Sequence, residues 1–173
     1  EKAAAGEYLT KHGLLPEFVI IHPGSKGSAW NISRQKYAEA ADAVSTFAKV
    51  LLTGGPAEKA MLMSIMDSMK NGENVVVMEE EMTLRQFAAV ISLSSVLVSC
   101  STGPMHLAAA MGVKTLSFFP HDGIRAMRVK RWGPIGNINE IIMPAESRLA
   151  PDDAMDTIPV GLIADKVRNL LAR

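Results

Sequence analysis

Short apolar runs rich in β-branched residues recur along the chain, at residues 18–21, 49–53, 74–78, 96–98, 114–118 and 140–143. Each is too short for a buried helix and too continuous for a half-exposed strand, so each predicts a strand buried on both faces. Between them the apolar spacing changes to that of a helix. Tyr37, Ala40, Ala41, Val44 and Phe47 share one face, as do Leu62, Ile65, Met66 and Met69. Leu84, Phe87, Ala88 and Ile91 mark a further inner face, and Val160, Ile163, Val167, Leu170 and Leu171 another near the end of the chain. Ser33 is placed to cap one helix, and Thr83 with Gln86 forms a capping box for another. Residues 1–13 read as a helical stub ending at Gly13, with Ala4, Tyr8 and Leu9 apolar, the end of a connection between domains. Residues 14–173 then form one domain.

Strands alternating with helices predict an α/β fold, a doubly wound parallel sheet of Rossmann-like form. In the common strand order 3-2-1-4-5-6 the winding reverses between strands 1 and 4, and ligands bind in the crevice at their carboxyl ends. Two loops rich in small residues fall there. The first strand runs into His22, Pro23, Gly24, Ser25 and Lys26. The fourth runs into Ser101, Thr102, Gly103, Pro104, Met105 and His106, where Ser101 or Thr102 caps a helix that Pro104 starts. Free N–H groups, the positive end of a helix dipole and a first-turn imidazole suit a phosphate or diphosphate. Lys26 can reach such a group as a point charge. His22 is expected to bond within its own loop.

Composition narrows the partners. The chain has 173 residues, 48% of them hydrophobic and 21% charged, and its formal net charge is zero. Neither nucleic acid nor an anionic membrane is drawn to it by bulk charge. The one cysteine, Cys100, excludes an internal disulfide and reads as a packed side chain. No apolar run approaches the roughly 18 residues of a spanning helix. Glu79, Glu80 and Glu81 read as a solvated loop, and the methionines as core filler. His121 and Asp122 occupy the loop after the fifth strand, and Arg125, Arg128, Lys130 and Arg131 form a basic run that suits an anionic acceptor or solvent equally. The chain starts at Glu1 without a methionine, as expected of a fragment or processed product. There is no dinucleotide fingerprint after the first strand, no Walker motif, no metal-ligand cluster and no nucleophile elbow, which disfavours hydride chemistry. No metal and no cofactor are expected.

In order along the chain, the HPGS stretch, Trp30, Gly54-Gly55 with Glu58, Met82-Thr83-Leu84 with Ala88, the segment from Ser101 to Ala110 and Trp132-Gly133-Pro134-Ile135-Gly136 resemble the carboxyl-terminal half of glycosyltransferase family 9, the lipopolysaccharide heptosyltransferases. The resemblance covers nearly the whole chain, and GPMHLAAAMG is its most specific piece. It implies one half of a GT-B enzyme. This half would bind a nucleotide-diphosphate sugar, typically ADP-heptose, and a separate amino-terminal domain would bind the lipid-linked saccharide acceptor and carry the catalytic base. By that similarity Thr102, Gly103 and His106 contact the diphosphate, with the HPGS loop beside it, and no catalytic residue lies in this chain. Gly54, Met82, Leu84 and Phe119 would surround the base. The family is inverting and metal-independent, and it implies a cytoplasmic enzyme, peripheral at the inner face of the inner membrane.

The chain departs from the family pattern at three places. Ser101 stands where the family usually has Asp, Ser28 where it usually has a lysine, and Phe119 where a glycine is common. These departures leave the base, the sugar and the acceptor open. They also keep open an alternative, a nucleotide or nucleotide-sugar binding module without catalysis. Half of a sugar-nucleotide epimerase is a more distant reading.

Overall fold

A computed structural model describes residues 1–121, 124–136, 138–145 and 149–173. Its strands are β1 (Phe18–His22), β2 (Lys49–Leu52), β3 (Val75–Val77), β4 (Val96–Cys100), β5 (Lys114–Phe118) and β6 (Asn139–Ile142). All pair in parallel, in the order β3-β2-β1-β4-β5-β6. This is the expected doubly wound sheet. The helices are α1 (Lys2–Lys11), α2 (Arg34–Ser45), α3 (Lys59–Asp67), α4 (Leu84–Ile91), α5 (Gly103–Ala110), α6 (Val129–Trp132), α7 (Pro151–Met155) and α8 (Val160–Leu171).

Every residue of β1 and β4 is buried, yet alternate side chains go to opposite layers. Val19, Ile21, Val96 and Val98 meet Tyr37, Val44, Leu62, Ile65, Ile163 and Val167 from α2, α3 and α8. Phe18, Ile20 and Leu97 meet Ala5, Leu9, Ala89, Val90, Met105 and Ala108 from α1, α4 and α5. The two-residue period of the strands therefore feeds two cores, one on each face of the sheet.

Two of the predicted caps form. The Ser33 hydroxyl accepts from the Lys36 N–H at 3.1 Å, and Thr83 and Gln86 close their reciprocal box. Two inner faces differ from expectation. In α1 the buried alanine is Ala5, and Ala4 is exposed. In α4, Ala89, Val90 and Ile91 face the core, whereas Leu84 is 73% exposed. Leu84, the first residue of the helix, turns away from the core. The five-residue α7 escaped the sequence reading because it is too short to show a helical period.

Candidate functional site

The strand order places the reversal between β1 and β4, where His22 stands opposite Ser99 in register. The loops leaving β1, β2, β3 and β4 converge above this edge on a cavity of about 630 Å³. It lies where the crevice of such a sheet is expected.

The loop after β1 is pinned from below. Tyr37, fully buried, donates to the Asn31 side-chain oxygen at 2.7 Å, and the Asn31 amide donates to the Pro23 carbonyl at 2.7 Å. Beyond Pro23 the chain turns sharply. Lys26 has φ +47° and Gly27 φ +74°, two successive left-handed residues. The Ser28 N–H and hydroxyl both donate to the Ser25 carbonyl, at 2.8 and 2.6 Å. A lysine in this region is strained, which is uncommon outside sites where the turn matters. Lys26 is exposed and lines the cavity beside Gly24 and Ser25. Pro23 is buried beneath the loop and acts only through its carbonyl.

Gly24 is closely approached by a neighbour. A Cβ there would meet the Glu58 carboxylate at 2.2–2.5 Å. That carboxylate is held across the turn after β2, where it accepts from the Gly55 N–H at 2.7 Å. Gly54 lies against Glu58 and Leu62, each 3.2 Å from where its Cβ would be. Glu58 therefore joins the β1 and β2 loops, with one carboxylate facing the cavity. The sequence placed Glu58 in the family resemblance but gave it no role. The signal was the spacing, a glutamate three residues after Gly55 at the start of a helical turn.

On the opposite side α5 opens at Thr102. Its side chain does not cap the helix; the Thr102 hydroxyl donates back to the Cys100 carbonyl at 3.4 Å. The first-turn N–H groups of Gly103 and Met105 are thus left to meet an anion, since Pro104 has none. Thr102, Gly103 and Pro104 line the cavity. Met105 contributes no side chain, because it is fully buried under α5. Ser101 lies outside the cavity lining, and its hydroxyl donates to the Trp132 carbonyl at 3.4 Å. His106 is exposed on the first turn of α5, also outside that lining.

The third side is apolar and acidic. Met78, Met82, Leu84 and Phe87 supply its apolar surface. Glu79, Glu80 and Glu81 are exposed, as expected of a solvated loop, and they also rim the cavity, where Lys59 pairs with Glu79 at 3.3 Å. Phe119 is corrected from this group, since it is fully buried in the core beside α5 and cannot touch a ligand. Gly54, Met82 and Leu84 do line the cavity.

Two buried groups at the carboxyl ends of β1 and β4, His22 and Cys100, have shifted titration. Burial pushes the His22 imidazole down to about 4, against the opposing field of Glu58. Its Nδ1 lies 2.9 Å from the Thr53 hydroxyl, so it bonds to the end of β2 and not within its own loop. Burial pushes the Cys100 thiol up to about 12, which suits a packed and unreactive side chain. Among the described residues no group of three His, Cys, Asp or Glu could hold a metal. His121 is half-buried after β5, and Lys130 and Arg131 are exposed. Asp122 and the side chain of Arg125 lie outside the described residues. No described helix is long and apolar enough to cross a membrane.

Comparisons with known proteins give this geometry a family. A glycosyltransferase of Haemophilus influenzae is 30% identical over 128 residues, which cover 73% of this chain and 36% of that protein. The structure of the Escherichia coli ADP-heptose lipopolysaccharide heptosyltransferase II matches with TM-score 0.79 at 16% identity, over 98% of this chain and 51% of that one. An E. coli heptosyltransferase solved with ADP matches with TM-score 0.72 at 17% identity, over 97% and 49%. These structural likenesses show a shared fold, one half of a GT-B glycosyltransferase, and the chain spans about half the length of the solved relatives. The model of glycosyltransferase family 9 (heptosyltransferase) matches residues 2–157, and the chain belongs to that family.

Proposed function

We propose that this chain holds the sugar donor of a glycosyl transfer, a nucleotide-diphosphate sugar with ADP-heptose as the first candidate. The observation that carries the reading is one cavity joining three kinds of surface. The uncapped start of α5 offers N–H groups, Lys26 a point charge, and Met82, Leu84 and Phe87 an apolar slot. A diphosphate flanked by a flat base on one side and a sugar on the other needs this set. ADP and ADP-heptose are named with the structural relatives, which supports the choice of adenine.

Chemically, the bond between the anomeric carbon and the diphosphate oxygen breaks while an acceptor hydroxyl oxygen bonds that carbon. The electron pair stays on the diphosphate, and the proton of the hydroxyl passes to a base outside this chain. What the chain contributes is stabilisation of the leaving group. Charge develops on the diphosphate as the bond opens, and fixed N–H dipoles with Lys26 meet it without reorganising. The acceptor in this reading is a lipopolysaccharide core saccharide carried by a lipid, bound by a second domain at the cytoplasmic face of the membrane.

The test is a transfer assay on protein that carries this chain with its flanking sequence, given ADP-heptose and a core acceptor lacking that heptose. Release of ADP with a gain of one heptose in acceptor mass is expected. Nucleotide binding with no transfer from any sugar donor would favour the non-catalytic module.

A further inference from the structure

The His22 ring lines the cavity floor yet is only 7% exposed, and its one bonded edge is Nδ1, 2.9 Å from the Thr53 hydroxyl. Thr53 is fully buried. A hydroxyl carries one proton and must place it on an acceptor, and a buried O–H left without one is costly. The partner found for the Thr53 side chain is that imidazole nitrogen. The threonine O–H therefore donates, Nδ1 accepts, and a neutral ring then carries its own proton on Nε2. The opposite tautomer would set an N–H against the hydroxyl oxygen and strand the threonine proton.

We propose that Thr53 fixes His22 as the Nε2–H tautomer, so that His22 presents a neutral hydrogen-bond donor from the cavity floor to an oxygen of the bound nucleotide-diphosphate sugar. Burial keeps the ring neutral, with its titration near 4, so the tautomer and not the charge sets what the ligand meets. The Glu58 carboxylate, on the wall of the same cavity, opposes the effect of burial on the ring without overcoming it. Phe87, with its ring centroid 6.0 Å from the imidazole, covers part of it and helps hold its tilt. His22 is in this account a binding residue, and Thr53 a positioning residue that never touches the ligand. The inference rests on the nucleotide-sugar reading above.

The experiment combines nitrogen NMR of the histidine side chains with titration of ADP and UDP, on the wild-type chain and on Thr53→Val and Thr53→Ser. In the wild type the His22 signals should show an unprotonated Nδ1 and a protonated Nε2. Thr53→Val keeps the shape and removes the hydroxyl. It should mix the tautomers and weaken nucleotide binding roughly tenfold, about the worth of one hydrogen bond, while Thr53→Ser restores both. A wild-type proton on Nδ1 overturns the proposal, whatever the variants do. So does a mixed tautomer in Thr53→Val with unchanged affinity. If neither nucleotide binds the wild type, the nucleotide reading falls, and with it the ligand role of His22, while the spectrum still decides the tautomer.

Discussion

At the scale of single residues the site depends on a few contacts that can be removed one at a time. Lys26 holds a left-handed backbone, φ +47°, and projects its charge into the cavity. Lys26→Gly relieves that backbone and removes the charge. Thermal unfolding should show no loss of stability, while calorimetry shows nucleoside diphosphate binding weakened by about 1.5–3 kcal/mol, the range for a hydrogen bond to a charged group. Gly24→Ala acts from the other side. Its Cβ would overlap the Glu58 carboxylate at 2.2–2.5 Å, and the end of that flexible side chain must move. Stability should change little. Affinity should fall, because Glu58 leaves the Gly55 N–H that now fixes it; unchanged affinity would remove Glu58 from the site. His22 adds a pH dependence. Its folded value, about 4, lies below the ordinary 6.5, so unfolded chains take up the proton first. Stability from this group is complete above pH 6.5 and is lost as the pH falls toward 4. His22→Asn should flatten that part of the melting profile.

Among the elements, α5 and the segment that follows β5 are held together by close backbone packing. A Cβ on Gly136 would meet the Ala109 carbonyl at 2.7 Å, and the Asn139 amide donates to the Gly136 carbonyl at 3.0 Å. Gly136→Ala cannot be absorbed by a side chain turning away. Chemical denaturation should show a loss of about 1–3 kcal/mol, as for other overpacked sites. Elements of this kind were legible to different degrees. The strands announced themselves because burial on both faces makes their apolar runs continuous, and β5 falls on residues 114–118 as the pattern placed it. Caps at Ser33 and Thr83 were legible because their chemistry is local. The floor of the site was not. His22 reaches Thr53 across two strands, and Gly24 answers to Glu58 across two loops, so both depend on register that no local spacing reveals. Met105 and Phe119 fail for the same reason. Each borders the site in sequence, but Met105 falls on the inner face of α5 and Phe119 just past β5, and both side chains turn into the core.

For the molecule as a whole, the last helix is closed onto the sheet edge by charge as well as packing. Glu140 in β6 accepts from Lys166 at 2.9 Å and pairs with Arg173 at 3.0 Å, and the Lys166 hydrogen bond leads in holding its carboxyl below the ordinary 4.5. A depressed carboxyl stabilises the fold above its unfolded value and stops doing so as acid protonates it. Glu140→Gln should therefore lower the melting temperature near neutral pH and make no difference in strong acid. Glu140 lies in β6, two strands beyond β4 and outside the cavity lining, so nucleotide affinity at neutral pH should be unchanged in the same variant. In the reading proposed above, the converging loops of this family 9 chain bind a nucleoside diphosphate. Calorimetric titration of the chain with ADP and UDP, each set against its monophosphate, tests it most directly. Binding of ADP clearly tighter than AMP is the predicted result, since the second phosphate gains the start of α5 and Lys26. Equal affinity for ADP and AMP, or no binding of either diphosphate, would contradict it.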